Sequence, residues 1–246
     1  MKHDCKVALA LSVFVLLLFP GSFGVAKESP MSDGPANAAS KSVYDEAMRI
    51  LSSIQATKYV HVTDIDEKEG HYYCDCSGFV GYVLNRTVAK DDHKGPLHNG
   101  DRRPVAAEFE RGFEAAPTKP DRSALWQQVV RLEDARPGDV IAWRLEVPKP
   151  NDTGHVVIVA ERPVVESDGK VKVTAIDSTV LPSTDITADK GKTGIGRRTM
   201  WFTVDKDGRP TGYIRGSRSA TPKTDAISIG RALPADSKTA SKRRAA

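Results

Sequence analysis

Cysteine is scarce in this chain, and its scarcity excludes the disulfide-stabilised class of small secreted proteins. The 246 residues contain three cysteines, and Cys5 lies in an N-terminal apolar leader. Only Cys74 and Cys76 are left for the folded part, too few for a framework of several bridges. A cysteine retained outside the reducing cytosol suggests a chemical role, with a buried structural thiol as the alternative.

The folded part also lacks the basic excess that is typical of nucleic-acid-binding proteins. The chain has 36 Lys and Arg against 32 Asp and Glu, but seven basic and two acidic residues fall within 218–246. The remainder is close to neutral. Because a nucleic-acid-binding protein carries its basic excess on the folded surface, we expect no nucleic-acid partner.

The N-terminal segment has the features of a signal peptide. A weakly basic start is followed by 13 residues, 7–19, that are apolar except for Ser12, and then by Pro20 and a small-residue end at Ala26. This predicts a cleaved signal peptide over 1–26 and a periplasmic or secreted protein. An uncleaved anchor is the alternative, and it would be the protein's only contact with a membrane.

One domain is predicted between two polar segments. Residues 27–40 are small and polar, which is typical of a linker. Residues 218–246 have few large apolar side chains and predict a basic, disordered tail. The intervening residues 41–217 are sufficient for one domain and contain no internal repeat.

The hydrophobic period changes from helical to strand-like along this domain. Apolar residues recur at three- and four-residue spacing over 43–54, again over 79–84, and more briefly over 105–113, which predicts three helices. Turn signals then separate five predicted strands, at 139–145, 155–160, 171–176, 200–204 and 211–215. This order predicts an α+β fold with N-terminal helices packed on an antiparallel sheet of about five strands.

A reactive thiol is predicted at the start of the second helix. Cys76 would stand in the first turn, where unpaired N–H groups and the positive end of the helix dipole favour a thiolate. Ser77 and Gly78 are small, so a substrate carbonyl could approach the sulfur there. The backbone N–H of Cys76 could then face the developing oxyanion.

The nucleophile needs a base, and His155 is the candidate. It opens the most apolar predicted strand, directly after a turn that contains glycine. Asp177 ends the next predicted strand, so an antiparallel hairpin would place it beside His155. A carboxylate in that position can accept the imidazole N–H and fix the tautomer.

Three short blocks resemble the NlpC-like cell-wall cysteine peptidases, a branch of the papain-like superfamily. DCSGFV at 75–80 is similar to the nucleophile motif of that family, RPGDVIAW at 136–143 to its Pro-Gly-Asp turn and first sheet strand, and GHVVIV at 154–159 to the strand with its catalytic histidine. The blocks occur in the family's order. The resemblance implies a papain-like fold, with Cys76 as the nucleophile and His155 as the base.

The match is weaker at the remaining site positions. The family's third catalytic residue is often His, Asn or Gln on the following strand, and Asp177 is the nearest match despite its different type and longer spacing. The family also tends to place a tyrosine upstream of the cysteine, near the oxyanion. Tyr59 is the candidate here, with Tyr72 and Tyr73 as alternatives, and Ser77 is the second candidate for substrate binding.

These features predict an exported cysteine hydrolase that needs no metal or cofactor and cleaves an amide bond. The resemblance implies that the substrate is a peptidoglycan stem peptide, with endopeptidase or amidase action. Alternatives are a catalytically silent envelope-binding module, a thiol acyltransferase with the same dyad, and a zinc or redox protein. The last would use His61, His71, Cys74 and Cys76, although the one-residue cysteine spacing is atypical of structural zinc sites and would strain a disulfide.

Overall fold

The computed structural model describes residues 33–88, 103–121, 123–182 and 193–234, so the predicted signal segment lies outside the described residues. These residues form the helices α1 (Ala38–Ser53), α2 (Cys76–Arg86) and α3 (Ala106–Glu114) and a short 3-10 helix, Leu132–Asp134. The strands are β1 (Ala56–Lys58), β2 (Asp64–Asp66), β3 (His71–Tyr73), β4 (Trp126–Gln128), β5 (Val140–Lys149), β6 (Asp152–Val159), β7 (Val164–Val165), β8 (Val171–Thr179), β9 (Gly194–Val204), β10 (Pro210–Arg215) and β11 (Ala226–Ala232). None of the described helices combines the length and hydropathy needed to cross a membrane.

The predicted α+β class is confirmed, but the main sheet is larger than predicted. It has eight antiparallel strands in the order β10-β9-β8-β6-β5-β11-β4, with β7 added beside β8. The prediction of about five strands missed β4 and β7 because segments of two or three residues are too short to display a period. A separate three-stranded sheet, β1-β3-β2, precedes α2.

The third missed strand, β11, corrects the predicted C-terminal boundary at residue 217. β11 pairs with β5 on one side and β4 on the other, inside the segment predicted to be a disordered tail. Ile229 is buried there, and Arg231 donates to the carboxylate of the fully buried Asp139. The domain therefore extends at least to β11, whereas residues 235–246 lie outside the described residues.

The predicted linker also overlaps the fold. Asn37 caps α1, because its side-chain oxygen accepts from the N–H of Ser40 at 2.9 Å. Ser40 is fully buried, so residues 38–40 belong to α1. Gly138 passes so close that a Cβ there would lie 1.9 Å from the Ser40 carbonyl oxygen, and its φ of +86° also favours glycine.

The main sheet separates two hydrophobic cores. Val156 and Ile158 of β6 pack with the three helices, whereas Val157 belongs to the core on the other face. In that second core, Trp143 of β5 lies 4.3 Å from the ring of Tyr213 on β10, although three strands separate β5 from β10 in the sheet. The sheet is therefore strongly curled around its second core.

Candidate active site

The candidate site lies where two neighbouring strands diverge. β6 pairs with β8 only at Ile158 with Ile176 and Val159 with Ala175. Beyond these pairs β8 remains bonded to β9 as far as Thr179, without pairing to β6. This leaves a slot between the first half of β6 and the end of β8.

The chain around Cys76 enters this slot and contacts both strands. The Ser178 hydroxyl of β8 donates to the carbonyl oxygen of Cys74 at 2.6 Å. From the opposite side, the backbone N–H of Val156 on β6 is close enough to the Cys76 sulfur to lower the pKa of its thiol. The N–H of Ala160 donates to the carbonyl oxygen of Thr174 on β8. Because successive N–H groups along a strand point alternately to its two sides, the Val156 N–H points to the same side as that of Ala160. Cys76 therefore lies beside the backbone of the residue that follows His155.

His155 and Asp177 meet across the slot, as the hairpin argument predicted. The His155 Nε2 lies 2.6 Å from the Asp177 Oδ2, and both side chains are buried. Because a carboxylate only accepts, Nε2 carries the proton and Nδ1 keeps a free lone pair. Trp143 packs against the imidazole with ring centroids 5.0 Å apart, which fixes the ring's position.

A buried arginine, Arg198 of β9, holds the other oxygen of Asp177. Its Nη1 lies 2.6 Å from Oδ1, and the same guanidinium also donates to carbonyl oxygens of Gly194, Gly196 and Leu181. The N–H groups of Arg198 thus bind acceptors that the fold holds in place. Arg198 was missed by the sequence reasoning, because only the register of β8 with β9 brings it to Asp177.

The resting state of the thiol differs from the prediction. Burial, followed by the charge of Asp75, raises the pKa of Cys76 to about 12, although N–H bonds from Val156 and Ser77 oppose this rise. The helix N-terminus thus acts against a stronger effect of burial. Cys76 is only 4% exposed, and lost hydration of the charged form outweighs the helix-end contacts.

His155 and Asp177 have complementary charge states. Burial lowers the pKa of His155, Arg215 lowers it further, and the hydrogen bond that His155 donates to Asp177 only partly compensates. Burial alone would raise the pKa of Asp177, but the His155 bond and the charge of Arg198 bring it below its usual value. A neutral imidazole thus donates to an ionised carboxylate, and its free nitrogen can accept a proton.

The first turn of α2 leaves one donor for an oxyanion. Asp75 caps the helix, and its Oδ1 accepts from the Gly78 N–H at 2.7 Å. The N–H of Cys76 has no acceptor among the described residues. It is therefore the donor that can bind a developing negative charge next to the sulfur.

Ser77 lies in the cap of α2 and is only 3% exposed. Its hydroxyl donates to Asp75 at 3.1 Å and accepts from Arg103 at 2.5 Å, while Arg103 also binds the free oxygen of Asp75 at 2.7 Å. The small residue at Gly78 is required by neighbouring packing, since a Cβ there would lie 2.5 Å from the Thr63 hydroxyl. The Ser77 hydroxyl is therefore engaged in the cap of α2 and Gly78 in packing, whereas the sequence predicts that both positions face the substrate.

Of the three candidate tyrosines, Tyr59 interacts electrostatically with Cys76. Burial, and after it the nearby Cys76 and Asp75, raise the pKa of Tyr59, and its ring is half-buried. Tyr72 is fully buried in the helix-side core. Tyr73 stacks its ring on that of the neighbouring His71.

The residues of the zinc and redox alternatives do not form a metal site. Within the described residues, no three or more His, Cys, Asp or Glu side chains are grouped in a way that could hold a metal ion. Both Cys74 and Cys76 are free thiols. Burial raises the pKa of Cys74 to about 12, and its sulfur belongs to the helix-side core.

A cavity of about 460 Å³ lies away from this slot, between α3 and the strands β4, β10 and β11. Its polar lining includes Glu110, Glu114, Asp205 and Arg209, but no cysteine or histidine. Glu110 is already bound to Arg144 at 2.9 Å. The cavity is therefore lined by neither a thiol nor an imidazole, and the candidate nucleophile Cys76 lies outside it.

Comparison with known proteins does not identify a relative. No family model, curated protein or solved structure matches the chain. The argument for a function therefore depends on the geometry of the slot and on the sequence motifs that form it.

Proposed function

We propose that this protein is an exported thiol hydrolase that cleaves an amide bond, with Cys76 as the nucleophile and His155 as the base. The observation that carries the proposal is the slot between β6 and β8, in which His155 binds Asp177 and the Cys76 thiol lies beside Val156, the residue that follows His155. Asp177 occupies the far nitrogen of the imidazole. Nδ1 is therefore the imidazole nitrogen that can accept the thiol proton.

The charge states favour proton transfer during the attack. His155 is neutral and Cys76 is protonated at neutral pH, so Nδ1 takes the thiol proton as the sulfur adds to the carbonyl carbon. The Cys76 N–H binds the oxyanion of the tetrahedral intermediate. The proton on Nδ1 then passes to the leaving amine as the C–N bond breaks, giving a thioester.

Water completes the cycle. His155 removes a proton from the attacking water, which adds to the thioester; the imidazolium then returns this proton to the sulfur as the C–S bond breaks and the free acid forms. Ionised Asp177 stabilises the imidazolium that exists between the two proton transfers. Arg198 acts only through Asp177 and is a positioning residue.

The finer assignments rest on the sequence. The apolar segment at 1–26 supports export, and the resemblance to NlpC-like enzymes supports a papain-like fold and peptidoglycan stem peptides as the substrate. Tyr59 and Arg215 are half-buried side chains with electrostatic interactions with Cys76 and His155, respectively. We expect substrate to enter beside them.

The test compares the wild-type protein with Cys76→Ala and Cys74→Ala. Each protein is incubated with purified muropeptides, and mass spectrometry identifies the products. We expect Cys76→Ala to lose at least about a thousandfold in rate and Cys74→Ala to retain activity, because Cys76 lies beside the strand of His155 whereas Cys74 is part of the helix-side core.

Each of the other outcomes has a clear meaning. Activity retained in Cys76→Ala would contradict the proposal. Co-sedimentation of wild-type protein with peptidoglycan, without released products, would favour a silent binding module. Transfer of the acyl group to an added amine in preference to water would favour the acyltransferase.

A further inference from the structure

Arg215, the last residue of β10, is a cation beside the proposed catalytic pair. Its guanidinium carbon lies 5.9 Å from the centroid of the Trp143 ring, and Trp143 in turn packs against His155. One guanidinium nitrogen donates to the hydroxyl of Thr179, at the end of β8. Arg215 thus lies where β5, β6 and β8 meet at the slot.

Arg215 differs from the other arginines around the slot in its pairing. Arg198 is bound to Asp177 and Arg103 to Asp75, each through an ion pair. Among the described residues, by contrast, Arg215 contacts no carboxylate, and its partners are a hydroxyl and an aromatic face. A half-buried guanidinium that is held in place without a counter-ion is suited to binding an anion.

The neighbouring groups show where this anion would lie. Arg215 and His155 both pack on the ring of Trp143, and Thr179, which accepts from Arg215, follows Asp177 closely on β8. The positive charge of Arg215 accordingly lowers the pKa values of His155 and Asp177. An anion on Arg215 would therefore lie beside the proposed base, within reach of a molecule that presents its carbonyl to Cys76.

We propose that Arg215 is a specificity residue that binds a carboxylate of the substrate next to the scissile amide bond. This inference deepens the proposed function and assigns the substrate to acidic peptides. A carboxylate of this kind would form the direct ion pair that Arg215 lacks among the described residues, and the planar guanidinium can bind it with two N–H groups. A neutral carboxamide in its place would not form this ion pair.

The test uses two alkylating reagents of nearly equal size, iodoacetate and iodoacetamide. Each reacts with the thiol by forming an S–C bond and releasing iodide, but only iodoacetate carries a carboxylate. We expect the ratio of the iodoacetate rate to the iodoacetamide rate at Cys76, followed by mass spectrometry, to fall about tenfold in Arg215→Met. Slow access to the buried sulfur affects both reagents and cancels in the ratio.

Two further variants separate a binding site from a general charge effect. Arg218→Met removes a positive charge three residues later, from an exposed arginine that pairs with Glu166 and Asp168, and should leave the ratio unchanged. Arg215→Lys should keep more of the preference than Arg215→Met, because it retains the charge. Equal ratios in wild type and Arg215→Met would overturn the inference, and so would an equal effect of Arg218→Met.

A second measurement requires no reaction at sulfur. Acetate and acetamide are titrated into isotope-labelled protein, and NMR follows the Arg215 side-chain N–H. We expect acetate alone to shift this signal, and no shift with acetate would also overturn the inference. Neither measurement involves amide hydrolysis, so a protein that discriminates between the reagents but cleaves no muropeptide would contradict only the proposed function.

Discussion

At the scale of single residues, the contacts of Asp177 explain why the third position of the proposed site is an aspartate and not an amide. Its two carboxylate oxygens serve different partners, Oδ2 for His155 and Oδ1 for Arg198. An asparagine could provide an oxygen for only one of them. It would also leave Arg198 as a buried charge without a counter-ion, a change that typically costs about 3–5 kcal/mol.

The neutral state of buried His155 predicts a pH dependence of stability. Because its pKa is lowered in the folded protein, the unfolded chain takes up the proton first as the pH falls below about 6.5. Folding stability is therefore intact above that pH and decreases below it, by at most about 1.4 kcal/mol per pH unit. Urea unfolding at pH 7.0 and 5.5 should show that the wild type loses about 1 kcal/mol more than His155→Gln.

The variant for this measurement is chosen to preserve the fold. Glutamine at position 155 can still donate to Asp177 but does not titrate. If His155→Gln showed the wild-type pH dependence, His155 would have to take up its proton in the folded protein as readily as in the unfolded chain.

At the scale of helices and strands, β11 and α3 depend on a close approach between them. Gly230 of β11 lies under the ring of Phe113, so an added Cβ would come within 2.2 Å of a ring carbon. Phe113 is fully buried and packs against Trp126 with ring centroids 4.9 Å apart, which prevents it from moving aside. The small residue is therefore required by packing.

Two glycine substitutions are expected to have opposite effects on stability. Gly230→Ala should destabilise the protein by about 1–3 kcal/mol, because it overpacks the contact with α3. Gly81→Ala lies in the interior of α2, where an added Cβ meets nothing within 4 Å, and should stabilise by roughly 0.5–1 kcal/mol. Urea denaturation measures both changes, and a neutral Gly230→Ala would show that α3 can shift away from β11.

The sequence predicts helices better than it predicts this strand, for a physical reason. The helices display a repeated apolar stripe, and α2 begins and ends where its pattern predicts. β11 is Ala-Ile-Ser-Ile-Gly-Arg-Ala, with small residues where α3 packs closely, so its composition resembles that of a loop. Because α3 packs so closely on it, β11 has small residues in place of the large apolar side chains that indicate a buried strand.

The candidate site likewise contains residues that the sequence predicts and residues that it does not. Cys76, His155 and Asp177 could be predicted because each lies at a position where a local pattern starts or ends. Arg198 and Arg215 could not, because they reach the slot through strand register and curling of the sheet over long sequence separations. The raised pKa of Cys76 likewise depends on burial by the assembled fold.

At the scale of the whole molecule, the C-terminal segment closes the domain around a buried charge. Asp139 is fully buried, and Arg231 of β11 binds it with two N–H groups, at 3.0 and 2.7 Å. The N–H of Arg136 also donates to this carboxylate, at 2.8 Å. Removal of β11 would therefore take away both a strand of the main sheet and the only guanidinium that contacts Asp139 within the described residues.

Truncation tests whether the domain ends at residue 217, as its composition predicts, or includes β11. We expect a protein that ends at residue 217 to lose cooperative thermal unfolding, measured by circular dichroism. Loss of the Arg231 partner alone should cost about 3–5 kcal/mol, which is a large fraction of the stability of a typical domain. The exposed edges of β5 and β4 add to this loss and favour aggregation.

Two matched proteins separate the strand from the charge. A chain that ends at residue 234 keeps β11 and should unfold cooperatively. Arg231→Leu keeps the strand but strips Asp139 of its guanidinium, and Arg231→Leu combined with Asp139→Leu should recover part of the stability, because it removes the buried charge as well. Cooperative unfolding of the chain that ends at residue 217, at the same temperature as the chain that ends at 234, would mean that β11 is dispensable and that the boundary predicted from composition is the functional one.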